Sequence, residues 1–480
     1  MRTLSALLLV TALFPLLESE ARSEALRPIC SPAEFGAVGN GQHDDRKAIQ
    51  DALAACKVVA VPPGRYLVGQ GAGFYNLLVG PGRTLSGAGR GLTTLVQAPG
   101  IGAAVRLLHV AGGDATIADL TLDGDRGHQS VNEQRHGVFA ASAPRLALVR
   151  VTSQNFTGDG FYVYTGSDNV VMNDVLATGN GRNGATLGGG GSRGHVITSS
   201  TFRGNRAQQF DTEQGVGYTV DDVLVTGSTF DPAGVSNDYA LTISGSRMTE
   251  APGTRYPSHG WRVIGNTIHG GVFAVWVDDS IIANNTGINP TTKPCYEVYR
   301  RSVRVSIIGN TCTHTQTEYD GIAGIRAIGT SVNEMPESIV IANNTITSTG
   351  QYRAFGVHAQ SVVSAEITGN TLVGPGLSAP LYAAGVYLRT TMVDAPFQRA
   401  VVDGNTIVNW GDSGVRVAGN APLVPVVEYL EIKDNDFGDD STPTAQTRAV
   451  RFDGQGLSVT TKVLSGNTCT GGTSCAGANL

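Results

Sequence analysis

The chain has 480 residues, 63 of them Gly, with 41% hydrophobic and only 15% charged residues and a formal net charge of -6. This balance excludes a disordered chain, which needs low hydrophobicity and high net charge. It also excludes a collagen, because Gly at roughly twice ordinary usage shows no three-residue period. The acidic total argues against a nucleic-acid partner, which selects a basic surface. Five of the 34 basic residues are Lys, leaving 29 Arg, which fits either a GC-rich coding bias or selection for carboxylate recognition.

At the N-terminus, Met1-Arg2 leads into an apolar run from Leu4 to Leu17, and small residues follow between Ala21 and Ala25. Residues 1–25 read as an export signal, and no later apolar run reaches membrane-spanning length. The mature part, 26–480, is expected to be a single domain, secreted or periplasmic. Its six Cys are expected to pair by proximity, Cys30 with Cys56, Cys295 with Cys312 and Cys469 with Cys475. Metal binding by these Cys is a poor alternative without a Cys-x-x-Cys spacing or a nearby His cluster.

The first regular element follows the acidic pair Asp44-Asp45, which reads as a helix cap. Ala48, Ile49, Ala52 and Leu53 then form an apolar stripe at helical spacing. This helix, ending at Cys56, is expected to lid the N-terminal end of a strand-rich body. From there the pattern is strand throughout. Gly160-Phe-Tyr-Val-Tyr164, Gly356-Val-His-Ala-Gln360, Gly385-Val-Tyr-Leu-Arg389 and Gly414-Val-Arg-Val417 alternate apolar and polar positions with period two. A second phrase recurs from Val263-Ile-Gly-Asn-Thr-Ile268 through Ile282-Ala-Asn-Asn-Thr286 and Ile307-Ile-Gly-Asn-Thr-Cys312 to Leu464-Ser-Gly-Asn-Thr-Cys469. Its Asn residues are spaced 19 to 35 apart. Asn tolerates a left-handed turn, so each phrase reads as strand, bend, strand. Such repetition predicts an all-β solenoid, a right-handed parallel β-helix of about 12 coils stacked about 4.8 Å apart. Asn266, Asn310, Asn344, Asn370 and Asn405 should stack near one corner.

Phe35-Gly-Ala-Val-Gly-Asn-Gly-Gln-His-Asp-Asp-Arg-Lys-Ala-Ile-Gln50 and Val61-Pro-Pro-Gly-Arg-Tyr66 resemble the entry segment of the pectate-lyase-like superfamily. With Leu85-Ser-Gly-Ala-Gly-Arg-Gly91 and Asp119-Leu-Thr-Leu-Asp-Gly-Asp125, the N-terminal half is similar to the catalytic module of secreted mannuronan C5-epimerases. The resemblance implies a parallel β-helix that binds polysaccharide along one exposed sheet. Where those epimerases carry Asp-Pro-His after Gly-x-Gly-Phe, this chain has Tyr162 and Tyr164 in place of the acid and the imidazole. That argues against epimerase chemistry.

Aligning the alternating strands puts Val138, Ala140, Phe161, Val163, Ala185, Leu187, Phe210, Thr212, Leu241 and Ile243 inward. Phe139, Tyr162, Tyr164, Thr186, Gly188, Asp211 and Glu213 then face outward. Asp211 and Glu213 share one face of one strand, roughly 7 Å apart. The nearly side-chain-free rung Gly188 to Gly191 would separate them from Tyr162 and Tyr164 as the floor of a trough. Asp211, Glu213, Asp159, Tyr162, Tyr164, Arg182 and His136 are the candidate catalytic residues. A bare turn cap is the simpler role for Asp159, and packing for the tyrosines. Arg206, Trp276, Arg326, His358, Tyr387 and Arg389 are candidate substrate-binding residues, since Arg among aromatics suits an acidic glycan. No cofactor is required by the pattern; calcium held by the carboxylates is an option, but no Asp-x-Asp-x-Asp loop supports it. The expected activity is cleavage of an extracellular, uronate-containing polysaccharide by β-elimination. Hydrolysis by paired carboxylates, epimerisation, and glycan gripping without catalysis are the alternatives. The oligomeric state is left open by the sequence.

Overall fold

The computed structural model describes residues 26–476 apart from 72, 103–104, 236–238, 248–254, 290–292, 316–321, 350–353, 377–382, 393–395, 420–424, 440–445, 447 and 454–457. The expected export signal lies outside the described residues. Strands dominate, gathered into a 31-stranded and a 14-stranded sheet; among the described residues only the two-residue hairpin Ser246–Arg247 with Arg255–Tyr256 pairs antiparallel. The chain winds as a right-handed parallel β-helix, as the alternation predicts. The 14-stranded sheet holds two coils more than the roughly 12 expected.

The N-terminal helix spans Arg46–Ala55 and buries Ala48, Ile49, Ala52 and Leu53, the four residues of the predicted stripe. Its cap differs from expectation. The carboxylate of Asp45 accepts the N–H groups of Val38 (2.7 Å) and Gly39 (3.0 Å), and it is Asp44 that accepts from Arg46 N–H at 3.1 Å. Three disulfides, Cys30–Cys56, Cys295–Cys312 and Cys469–Cys475, join the pairs chosen by proximity.

Period-two alternation builds the core of the 14-stranded sheet. Val138, Phe161, Ala185, Phe210, Leu241, Val272, Tyr296, Ile325, Val357, Val386, Val415 and Val450 each pair with the next and point inward, all buried. Burying one such large side chain contributes about 1.5–3 kcal/mol, and the column repeats that gain on every coil. The neighbouring positions therefore face outward in register: Phe139, Tyr162, Thr186, Asp211, and later Phe273, Glu297, Arg326, His358, Tyr387, Arg416, Arg451.

One corner carries an amide ladder. Asn266 donates from Nδ2 to Oδ1 of Asn285 (3.0 Å), and the pattern continues through Asn310, Asn344, Asn370, Asn405, Asn435 and Asn467 at 2.9–3.0 Å. Each Oδ1 also accepts the backbone N–H of the Asn one coil earlier, as Asn370 does from Asn344 at 2.9 Å. The left-handed residue is not the stacked Asn but the one before it: Gly309, Asn343, Gly369 and Gly404 have φ of 65, 55, 62 and 62°. The bend and the ladder are thus divided between two adjacent positions.

Candidate active site

Strands Val138–Ala141, Phe161–Val163, Ala185–Gly189 and Phe210–Gln214 lie side by side and set the site. Asp211 pairs with Thr186, which pairs with Tyr162, and Glu213 pairs with Gly188. The turns entering these strands add His136, Asp159 and Asn183 in a parallel column, since the amides of Gly137 and Gly160 bond the carbonyls of Asp159 and Asn183. Arg182 precedes Asn183 and reaches over both columns.

Arg182 ties the acids together. Its Nη1 donates to Asp159 Oδ2 at 3.1 Å, its Nη2 to Glu213 Oε1, and its Nε lies 4.0 Å from Glu133. Asp159 does not cap its own turn. Its Oδ1 accepts the Asn183 N–H (2.9 Å) and its Oδ2 the Thr186 hydroxyl (3.0 Å), both from the next coil. The Asn183 amide donates onward to Thr186 Oγ1 (3.1 Å) and Asp211 Oδ2 (3.4 Å), and Asp211 shares a hydrogen bond with Glu213. Asp159 is fully buried, Asp211 keeps 7% of its surface, and the Glu213 side chain keeps 30%. Glu213 and Asp211 can therefore touch a substrate, while Asp159 orders the groups that hold them.

Three negative side chains around one guanidinium leave excess charge in a dry site. Burial pushes Asp159 up to about 7, with Arg182 opposing. Burial, followed by the neighbouring Glu213 charge, carries Asp211 well above the usual carboxylate range, which favours its protonated form. Burial and the acids also raise Tyr162, which stays a phenol and can give a proton but not take one. His136 lies 3.7 Å from the Asp159 carboxylate yet is held neutral by burial and by Arg106 and Arg182. Its Nδ1 accepts the Asp159 N–H at 3.1 Å, which puts its proton on Nε2. The ring stacks on Tyr162 at 4.8 Å.

The predicted glycine floor is occupied. A Cβ at Gly188 would lie 2.8 Å from the Tyr162 hydroxyl, and one at Gly189 (φ 79°) would lie 2.3 Å from the Tyr164 ring. The glycines make room for the tyrosines rather than for an open trough. Tyr164 is the exposed ring of the wall, tilted against Phe139 and Tyr162. Arg135, wholly buried beside His136, donates to Gln129 (3.1 Å) and to the carbonyls of Ile101 (3.1 Å) and Gly102 (2.9 Å).

Arg206 lies exposed and meets none of the acids, and Trp276 leaves the strand column in a left-handed turn (φ 51°) under the Arg300 guanidinium. Arg326 is clamped by Glu297 at 2.9 and 2.8 Å, with Tyr239 donating to the same carboxylate. Sequence reasoning overlooks Asn183, Glu133 and Glu297; Asn183 alone has a signal, standing 24 residues after Asp159 at the same place in the next coil. Among the described residues no three His, Cys, Asp or Glu side chains are arranged to hold a metal ion. Asp159, Asp211 and Glu213 turn instead toward Arg182, Asn183 and Thr186, so their donor set does not fit calcium.

The fold is a parallel β-helix of the pectate-lyase-like kind, and its likenesses are to carbohydrate-modifying proteins. Residues 31–235 match the family described as rhamnogalacturonase A/epimerase, pectate lyase-like, a family of polysaccharide-modifying enzymes. No curated protein matches the sequence. The A-module of the Azotobacter vinelandii mannuronan C-5 epimerase AlgE4 is similar in structure, with 20% identity and a TM-score of 0.56 over 74% of this chain and 98% of the module. The A-module of AlgE6 from the same organism gives 22% and 0.51 over 77% and 97%. The N-terminal fragment of bacteriophage phi29 gene product 12 gives 14% and 0.52 over 92% and 71%. At these identities the likeness is one of fold. The three disulfides are compatible with an extracellular protein, and among the described residues no helix is long and apolar enough to cross a membrane.

Proposed function

We propose that the protein is exported and hydrolyses an acidic polysaccharide laid across the strands of the 14-stranded sheet. Asp211 acts as general acid and Glu213 as the carboxylate that activates water. The carrying observation is the division of one acidic pair: Asp211 is buried and pushed toward its protonated form while the more exposed Glu213 pairs with the Arg182 guanidinium. Glycosidic hydrolysis uses two carboxyls in unlike environments with room between them, so the substrate and water would have to enter by parting the hydrogen bond that Asp211 and Glu213 share. The Asp211 proton goes to the leaving oxygen as the bond to the anomeric carbon breaks. Water supplies the new hydroxyl, and its proton passes to Glu213. Asp159, Asn183 and Thr186 position Arg182 and Asp211.

Elimination is the second reading, and one observation favours it: Tyr162 is kept as a phenol beside the acids, suited to protonating a leaving oxygen. It also needs a cation to neutralise the uronate carboxylate, and Arg182 is already shared between two acids. Mass spectrometry of products from uronate-containing and neutral polysaccharides separates the readings. Hydrolysis adds one water per cut; elimination adds none and leaves a carbon–carbon double bond conjugated with the carboxylate. Binding without any change in polymer mass would point to an adhesin and sink both.

A further inference from the structure

Beyond the acidic cluster, the same outward columns continue into a stretch where ion pairs alternate with polar groups that have no partner among the described residues. Glu297 clamps Arg326 on one side, and Arg416 reaches Asp453 at 2.7 Å on the other. Between these pairs lie two coils whose outward residues are His358 and Gln360, then Tyr387 and Arg389, in register. His358 is buried between the rings of Phe355 (5.2 Å) and Tyr387 (4.9 Å), and neither of its nitrogens has a hydrogen-bond partner among the described residues. Burial and the charges of Arg326 and Arg389 keep it neutral, so it offers one donor and one acceptor. The side chains of Gln360 and Arg389 are half-buried, and neither meets a partner among the described residues.

Partly desolvated donors left unpaired between satisfied neighbours are costly unless a ligand completes them. The charge is positive and the donors are planar, while Tyr387, buried and stacked on Phe355 and His358, fixes the His358 ring. We propose that His358, Gln360 and Arg389 form a distal subsite for the carboxylate of a uronic acid unit, belonging to the same glycan strand that crosses Asp211. The inference rests on a glycan lying along this sheet. Arg389 stands six coils from Asp211, about 29 Å at the spacing of stacked strands. A pyranose unit advances by a comparable step, so one occupant covers both sites only if it is about seven sugars or longer.

The test is equilibrium binding of a galacturonate decamer and a neutral galactan decamer to the full chain carrying Glu213→Gln, alone and with Arg389→Ala or Arg389→Lys. The expected result is about a tenfold weaker uronate affinity for Arg389→Ala, a smaller loss for the Lys variant, and unchanged neutral binding. Equal uronate affinity in all three proteins would overturn the subsite, and so would an equal loss of both glycans. Because binding is read without turnover, the outcome is separable from the catalytic reading. A wild-type chain that cuts no polymer while Arg389→Ala loses the decamer keeps the subsite and refutes hydrolysis. A wild-type chain that cuts while Arg389→Ala binds normally does the reverse.

Discussion

Two buried polar regions of this solenoid follow opposite rules. At the ladder corner, every amide from Asn266 to Asn467 is neutral and meets its neighbours one coil away, at distances that hardly vary. At the acidic cluster, Asp159 and Glu213 share one Arg182 while Asp211 borders Glu213 without a cation of its own, and protons make up the deficit. Polar burial in the ladder stabilises the coil it belongs to. In the cluster it stores groups in protonation states they would not hold in water, a cost tolerated where chemistry needs it. The contrast supports the proposal that the second region is the functional one, without reference to any relative.

Four outcomes sharpen or break that contrast. The largest concerns turnover: Asp211→Asn or Glu213→Gln should lower kcat by about a hundredfold or more with melting temperature preserved. A loss below tenfold, measured on the polymer that the wild type cuts, would make the pair positioning groups and move attention to Tyr164 and His136.

Next comes the pH dependence of stability. A carboxyl whose folded value is raised contributes stability fully below its unfolded value near 4 and loses it as pH climbs through the folded one. For Asp159, raised from 3.8 to about 7, the loss between those limits is on the order of 4 kcal/mol. Denaturant unfolding between pH 4 and 8 should show the wild type weakening toward alkali. In Asp159→Asn the slope should flatten, and a slope unaltered by that substitution would mean the cluster is not protonated.

The ladder should respond in the opposite sense. Asn344→Ala strips an acceptor from Asn310 and a donor from Asn370, costing about 2–3 kcal/mol, independent of pH and with kcat unchanged. An activity loss larger than the stability loss would join the two regions. The smallest effect is expected at the exposed ring: Tyr164→Ala should raise KM several-fold and leave kcat alone, read from initial rates. A fall in kcat would instead make Tyr164 part of the chemistry.

Much of the fold is legible in the sequence because each of its rules is local. Period-two alternation names the inward residue on every strand, so Phe161, Ala185 and Phe210 align from their spacing alone. The helix stripe at Ala48, Ile49, Ala52 and Leu53 and the three Cys pairs follow from spacing in the same way. That register also puts Asp211, Glu213 and Tyr162 on one face. Other features depend on what lies one coil away in space and about 25 residues away in sequence. That Asp159 bonds Asn183 and Thr186, that Arg182 turns to Glu213, and that Gly188 accommodates the Tyr162 hydroxyl are facts of stacking. Protonation is decided there too: Asp159 and Asp211 differ from any solvated aspartate only through the burial and neighbours that the wound chain gives them. Alternation in the sequence determines which way a side chain points. What it meets on arrival is set by the irregular coil lengths, which only the assembled solenoid sums.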